Sequence, residues 1–276
     1  MHTLTELRAL LKQYRLAPRR QLGQHFLIDP SLVLRLIDLM ELSASDEVVE
    51  VGPGFGALTL AMAERVRHVV AVEHDRVLAH ALQQRLGPDT NVTVVHGDIL
   101  EFALPARSRV VGAIPYSITS PLLEHLMRQK PRLQDAWLIV QREVAERIVA
   151  RPATPAYSRL SCFAQYHFEA VRRLRIASRA FFPQPQVASV LLQLVTRGHP
   201  AVTVEDEERF FNIIKAAFAH RRKTLLNNVL PLAGGGGRRQ ALEAHLRSRG
   251  FNPMRRGETL SLEEFARLAA VLQSFV

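Results

Sequence analysis

Val48-Val49-Glu50-Val51-Gly52-Pro53-Gly54-Phe55-Gly56 constrains this chain more than any other stretch. It reads as an apolar strand that stops in a glycine-rich turn. Ala57-Leu58-Thr59-Leu60-Ala61-Met62-Ala63 then resumes with apolar residues and good helix formers, as a helix would. Strand, turn and helix in that order make a nucleotide-binding opening. Glycines at 52, 54 and 56 remove the Cβ atoms that would hold a ligand off the backbone, and free N–H groups of the new helix favour polar or anionic ligand atoms. The spacing is G-x-G-x-G, whereas the dinucleotide fingerprint needs its third glycine one residue later. Glu50 stands two residues before the first glycine. A carboxylate there repels a pyrophosphate and pairs with a cationic amino acid, so S-adenosylmethionine is expected as the ligand rather than NAD.

Two further strands end in acids. His68-Val69-Val70-Ala71-Val72-Glu73 places Glu73 21 residues after Gly52, the distance at which such folds bond a ribose hydroxyl pair. Val92-Thr93-Val94-Val95-His96-Gly97-Asp98 is a third strand, with Asp98 where an adenine amino group needs an acceptor. One such acid alone is a weak signal; three in order favour a ligand site over chance helix caps.

With 276 residues the chain suits one α/β domain plus a small appendage, since domains commonly run about 100–200 residues. Its single cysteine, Cys162, excludes a disulfide framework and a cysteine-built zinc site, and no metal is expected. Cys162 lies in an apolar run and reads as a small buried hydrophobe. The N-terminus resembles neither a secretory signal nor a spanning helix, so a soluble cytoplasmic protein without a membrane partner is expected, as a monomer. The net charge of +10 is uneven: residues 1–140 hold 15 Lys+Arg against 15 Asp+Glu, and 141–276 hold 21 against 11. A basic half, rich in arginine over lysine, points to nucleic acid.

Residues 3–16 have helical spacing, and Pro18-Arg19-Arg20 ends it. Gln21 to Pro30 reads as a loop in which Gln24, His25, Phe26 and Leu27 either cover a small ligand or form an ordinary packed connection. Asp29 or Ser31 starts a helix over 32–40. A fourth strand from Arg109 ends in Ala113-Ile114-Pro115-Tyr116, where the proline stiffens the exit and Tyr116 is placed to stack on a base. Seen without the earlier motifs, the same stretch fits a proline turn with a core tyrosine. A fifth strand spans 137–141, followed by a charged helix over 142–150. Pro183 and Pro185 set an extended arm beside the far edge of the sheet, running into a strand over 190–195. A boundary is expected near 200, dividing residues 1–200 from a helical unit, 201–276. Its expected helices span 207–219, 221–229, 238–249 and 262–271, the second opening with Arg221-Arg222-Lys223.

Taken together these motifs resemble the rRNA adenine N6,N6-dimethyltransferase family. Gln24-His25-Phe26-Leu27, Glu50 to Gly56, Glu73, Gly97-Asp98, Ile114-Pro115-Tyr116, Gln141 to Arg147 and Phe182 to Val187 occur in the family's order. Arg221 to Leu225 and Glu258 to Phe265 are similar to its small-subunit branch rather than to its macrolide-resistance branch, which acts on the large subunit. The resemblance implies a class I, Rossmann-like methyltransferase sheet with a small helical C-terminal domain, and S-adenosylmethionine as methyl donor. The implied substrate is adenosine near the 3′ end of small-subunit rRNA in a precursor ribosomal particle. By position, Gln24, His25 and Leu27 would border the cofactor, with Glu50, Gly52, Gly54, Gly56 and Ala113 around it. Glu73 would hold the ribose, and Asp98 with Ile99 the adenine. Arg147, Arg221, Arg222 and Lys223 would meet RNA. The family's signature is Asn-Leu/Ile-Pro-Tyr, whose asparagine and neighbouring carbonyl accept from the target amino group. Here Ala113 replaces the asparagine. That change also fits a ribosome-assembly factor that keeps cofactor binding with weakened chemistry.

Overall fold

The computed structural model describes residues 3–19, 23–115 and 118–275. The chain divides into two compact units: Met1–Ala145 with Ala170–Thr196, and Glu146–Glu169 with Arg197–Val276. The division is therefore not a single cut near residue 200. Residues 146–169 go with the C-terminal helices because Tyr157, Cys162 and Tyr166 share a core with Phe210, Ile214, Leu226 and Phe265.

The first unit starts with α1 (Leu4–Gln13), closed by a capping box between Thr3 and Glu6. α2 (Pro30–Leu39) begins at Asp29, whose carboxylate accepts from the Leu32 N–H at 3.0 Å, with Pro30 at the first helical position. Val33, Leu36 and Ile37, at helical spacing, bury its inner face. There follow β2 (Glu47–Val51), α3 (Ala57–Ala63), β3 (His68–Glu73), α4 (Arg76–Arg85), β4 (Val92–His96), β5 (Ser108–Ala113), α5 (Thr119–Arg128) and β6 (Leu133–Gln141). With β7 (Phe168–Ile176) and β9 (Ser189–Thr196) the strands form one seven-stranded sheet in the order β4-β3-β2-β5-β6-β9-β7. β4, β3, β2, β5 and β6 run parallel, and β9 returns antiparallel against β6. The central strands β2 and β5 are buried along nearly their whole length, with valine pairs at their centres, as strands covered on both faces are.

Arg109 locks the lower end of this sheet. Its guanidinium donates to both Asp135 oxygens (2.9 and 2.8 Å), to Asp46 at 2.9 Å and to the Met40 and Glu41 carbonyls. One buried cation thus ties the end of α2 and the approach to β2 to β5 and β6, with every donor satisfied.

The chain winds outward from β2 through β3 to β4, then crosses back to place β5 on the other side of β2. The β2/β5 boundary is therefore the switch point of the sheet, where open α/β folds have a crevice outside the carboxyl ends of the strands. The glycine turn after β2 and Ala113 at the end of β5 face each other across it.

The 21–30 stretch and the proline arm depart from expectation. Phe26–Leu27 form a short strand, β1, antiparallel to β8 (Phe181–Phe182), with Phe26 opposite Phe182 and Leu27 opposite Phe181. The arm thus pairs with the N-terminal segment, not with the far edge of the sheet. Burial explains the choice: Leu27 and Phe181 enter the main core, and the Phe26 ring lies 5.5 Å from that of Phe55.

The second unit gathers part of α6 (Arg142–Ile148), α7 (Arg159–His167), α8 (Glu207–Ala217), α9 (Leu225–Val229), α10 (Arg239–Ser248) and α11 (Leu262–Gln273). α9 starts later than its expected 221. Thr224 is its N-cap, so Arg221, Arg222 and Lys223 lie in the turn before it. Cys162 is buried beside the Tyr157 hydroxyl at 3.2 Å, and burial pushes its thiol up to about 12, which leaves it inert at neutral pH. Among the described residues no helix is long and apolar enough to cross a membrane.

Candidate active site

The first unit holds a cavity of about 570 Å³ at the switch point. Gln24, His25, Leu27, Glu50, Gly52, Gly54, Glu73, Asp98, Ile99, Ala113 and Pro115 all line it. Segments from the N-terminal loop and from the ends of β2, β3, β4 and β5 thus converge on one space of ligand size.

Gly52, Gly54 and Gly56 take φ of +66°, +57° and +86°, the left-handed region that glycine enters at little cost. Their N–H groups are all used within the protein. Gly52 donates to the Val72 carbonyl at 2.9 Å, Gly54 to Glu73 Oε2 at 3.0 Å, and Gly56 to the Pro53 carbonyl at 2.9 Å. The Thr59 amide turns to Glu50. The turn thus spends its glycine N–H groups on the sheet, on Glu73 and on Pro53, and of the new helix it is Ala57 and Leu58, at its first turn, that line the cavity. Gly52 keeps the space, since a Cβ there would meet nothing within 4 Å. Gly56 does not line the cavity. A Cβ on it would come within 2.6 Å of Leu82 Cδ1, so this glycine serves the packing of α3 on α4.

Glu50 is 2% exposed and accepts the Thr59 hydroxyl at 2.5 Å. Burial pushes its carboxyl up to about 8; the Thr59 bond opposes this, and repulsion from Glu73 adds to it. Glu73, 6% exposed, accepts the Asp75 N–H at 2.9 Å on one oxygen and the Gly54 N–H on the other. Burial raises its carboxyl too, against those two bonds. No cationic side chain among the described residues pairs with either acid. Two buried carboxyls without a cation, in an open cavity, are suited to a ligand that brings positive charge and hydroxyl groups. Asp98 accepts the Leu100 N–H at 2.9 Å, which aims it along the third strand end.

His25 stands 2.6 Å from the Pro183 carbonyl through Nδ1. A carbonyl only accepts, so Nδ1 carries the proton. This bond and the β1/β8 pairing hold the Gln24–Leu27 segment over the cavity. Ile114 is buried away from it, and its N–H donates to the Ile139 carbonyl at 3.0 Å, fixing the end of β5. Ala113 presents only a methyl group. Tyr116, singled out from the sequence, lies outside the described residues.

The sequence reading missed Asp75, His96 and Pro53 in the lining. Asp75 could have been found: it follows a strand and precedes a helix, and its carboxylate caps α4 through the Val77 and Leu78 N–H groups. In the second unit Arg147, Arg222 and Lys223 are exposed. Arg221 is held by Glu258, Nε to Oε2 at 2.9 Å, and by the Pro155 carbonyl at 2.9 Å.

The sequence matches the model of the family described as "Ribosomal RNA adenine dimethylase" over residues 15–273. It is 41% identical over 280 residues to the "Ribosomal RNA small subunit methyltransferase A" of Moorella thermoacetica, covering 96% of each chain. The protein of the same name from a Geobacillus species is 38% identical over 277 residues, covering 96% of this chain and 95% of that one. Among solved structures, a dimethyladenosine transferase from Plasmodium falciparum superposes with a TM-score of 0.77 at 23% identity, over 90% of this chain and 98% of the other, a likeness of fold. The 23S rRNA methyltransferase ErmE gives 0.68 at 29% identity, over 90% of this chain and 99% of its own. The chain belongs to the ribosomal RNA adenine dimethylase family.

Proposed function

We propose that the protein transfers methyl groups from S-adenosylmethionine to N6 of adenosines in small-subunit rRNA, within a precursor of the small ribosomal particle. The observation that carries this is the meeting of Glu50, Glu73 and Asp98 with Ala113 and Pro115 in one cavity at the switch point. The relatives named for the small subunit favour that subunit over the large one.

The cavity's residues fit this cofactor in charge and in space. Glu50 meets the amino-acid end beside the open face of Gly52. Glu73 takes the ribose hydroxyls, and Asp98 with Ile99 the adenine, while Gln24, His25 and Leu27 close the side. When bound, S-adenosylmethionine supplies an electrophilic methyl group on a sulfonium sulfur. The protein's share is positioning. The Ile114 carbonyl accepts a hydrogen of the target amino group, Pro115 keeps that peptide rigid, and Tyr116 stacks on the base. Holding the amine in line replaces a random encounter, and no general base is needed until the amine has become charged. The second unit, with 16 Lys+Arg against 10 Asp+Glu, offers Arg147, Arg222 and Lys223 to the RNA.

Glu73→Ala weakens S-adenosylmethionine binding by about 1.5–3 kcal/mol, the scale of a charged hydrogen-bond partner. Calorimetric titration measures it, and an unchanged affinity removes the ribose assignment. The reaction itself is tested by labelled methyl transfer to undermethylated small subunits, with large subunits alongside. Label on small subunits supports the reading; label on large subunits alone moves the protein to the macrolide-resistance branch.

A further inference from the structure

Three loops of the second unit, 151–156, 219–224 and 252–258, are gathered at one residue, Glu258. Its carboxylate holds Arg221, its carbonyl accepts the Ala153 N–H at 2.8 Å, and Arg221 reaches on to the Pro155 carbonyl. The 252–258 loop is also bonded to the start of α9. Leu225 N–H donates to the Arg255 carbonyl at 2.6 Å, and Leu226 N–H to the Pro253 carbonyl at 3.1 Å. Arg255 is taken up by Glu264 and Thr259.

Between these anchored residues stands Met254, 57% exposed, the most exposed of the large hydrophobic residues described. Its own N–H is tied to Asn252 Oδ1 at 3.0 Å, so the backbone that presents it is fixed on both sides. Arg256 lies two residues on in the same loop, and Arg222 and Lys223 lie in the turn that leads to Leu225, to which this loop is bonded; all three are exposed. Arg222 and Lys223 have no ion pair among the described residues, and Arg256 only a loose one, 4.0 Å from Glu258.

We propose that this surface is an RNA contact in which Met254 packs on a base or ribose while Arg222, Lys223 and Arg256 meet phosphates. In it Arg221 is a positioning residue that clamps the loops together through Glu258. An apolar side chain on an anchored loop that is bonded to a cationic turn suits a surface that presses on a base while neutralising a nucleic-acid backbone. A protein partner with an apolar patch would leave the surrounding positive charge unmatched. The proposal rests on the RNA reading above and adds to it the apolar contact and the clamp.

The test uses the full chain and a transcript of small-subunit rRNA, with affinity measured at several salt concentrations. Met254→Ala melts at the parent's temperature and binds about 5–10-fold more weakly, with the parent's salt slope, since no charge is lost. Met254→Leu stays near the parent. Replacing Arg222, Lys223 and Arg256 by Ala together flattens the slope of log affinity against log salt by about 2, at roughly 0.7 per single-strand phosphate contact. Arg221→Ala keeps the parent's slope. Parental affinity in Met254→Ala overturns the proposal and leaves the RNA reading standing. If Met254→Ala binds the transcript normally but loses small subunits, the residue meets a protein, and the proposal fails. A parent chain that does not bind the transcript removes the RNA reading itself.

Discussion

Glu50→Gln removes a large share of the pH dependence of the ligand-free protein's stability between pH 4.5 and 8.5, the raised Glu73 carboxyl contributing in the same direction. The folded Glu50 keeps its proton to about pH 8, whereas the unfolded side chain loses it near the ordinary carboxyl value of 4.5. Between these values the folded state binds more protons than the unfolded one, so unfolding free energy falls as pH rises. The contribution is fully present below about 4.5 and is lost as pH climbs through 8, on the order of 4–5 kcal/mol in all. Glutamine keeps the size and can still accept the Thr59 hydroxyl, but it carries no titrating proton. Denaturant titrations at pH 5 and pH 8.5 should therefore separate parent and variant by most of that amount at the higher pH. On the proposed reading the same buried acid couples to the cofactor. A cationic amino acid beside Glu50 favours the ionised carboxylate, so binding near pH 7 expels a proton and tightens as pH rises toward 8. Calorimetry in buffers of different ionisation enthalpy reads this release directly. Equal proton release by parent and Glu50→Gln would place the cation elsewhere.

Ala113→Asn is expected to raise the first methyl transfer by about 10²–10³, by analogy with restoring one preorganised hydrogen-bond partner at a reacting centre. Ala113 ends β5 on the cavity and brings no acceptor. An unmethylated adenosine amino group has two hydrogens, and the Ile114 carbonyl can take one of them. The other is left desolvated without a partner, at a cost of about 1–3 kcal/mol. A monomethylated amino group has only one hydrogen and escapes that cost. The gain at the first step should therefore exceed the gain at the second, measured on unmethylated and premonomethylated substrates by mass spectrometry of digested nucleosides. Equal gains would mean that position 113 orients the base generally. No gain would mean that another residue supplies the acceptor.

Much of the sheet was legible because β2, β3 and β4 are valine-rich runs closed by glycine or an acid, a pattern that suits strands of a covered parallel sheet. Glu50, Glu73 and Asp98 could be placed on one crevice for the same reason: topology brings successive strand ends together. Features decided by long-range pairing were not legible. The β1/β8 pair is two residues long, and its partners lie more than 150 positions apart. β7 alternates poorly, with Arg172, Arg173 and Arg175 on an edge where the Arg173 guanidinium covers the Trp137 ring and bonds Gln193. Residues 146–169 joined the helical unit through tertiary packing that no local pattern announces. The glycine turn was read correctly as a turn, but the destination of its N–H groups depends on Glu73, a residue of the next strand.

The central claim meets its most direct test when undermethylated small subunits are incubated with the protein and isotopically labelled S-adenosylmethionine, and the rRNA is digested and resolved by mass spectrometry. The account predicts labelled N6-methyladenosine and N6,N6-dimethyladenosine from small-subunit rRNA, in amounts that fall sharply with Glu73→Ala and rise with Ala113→Asn. Absence of labelled adenosine with both parent and Ala113→Asn, from protein that binds S-adenosylmethionine normally, would contradict it.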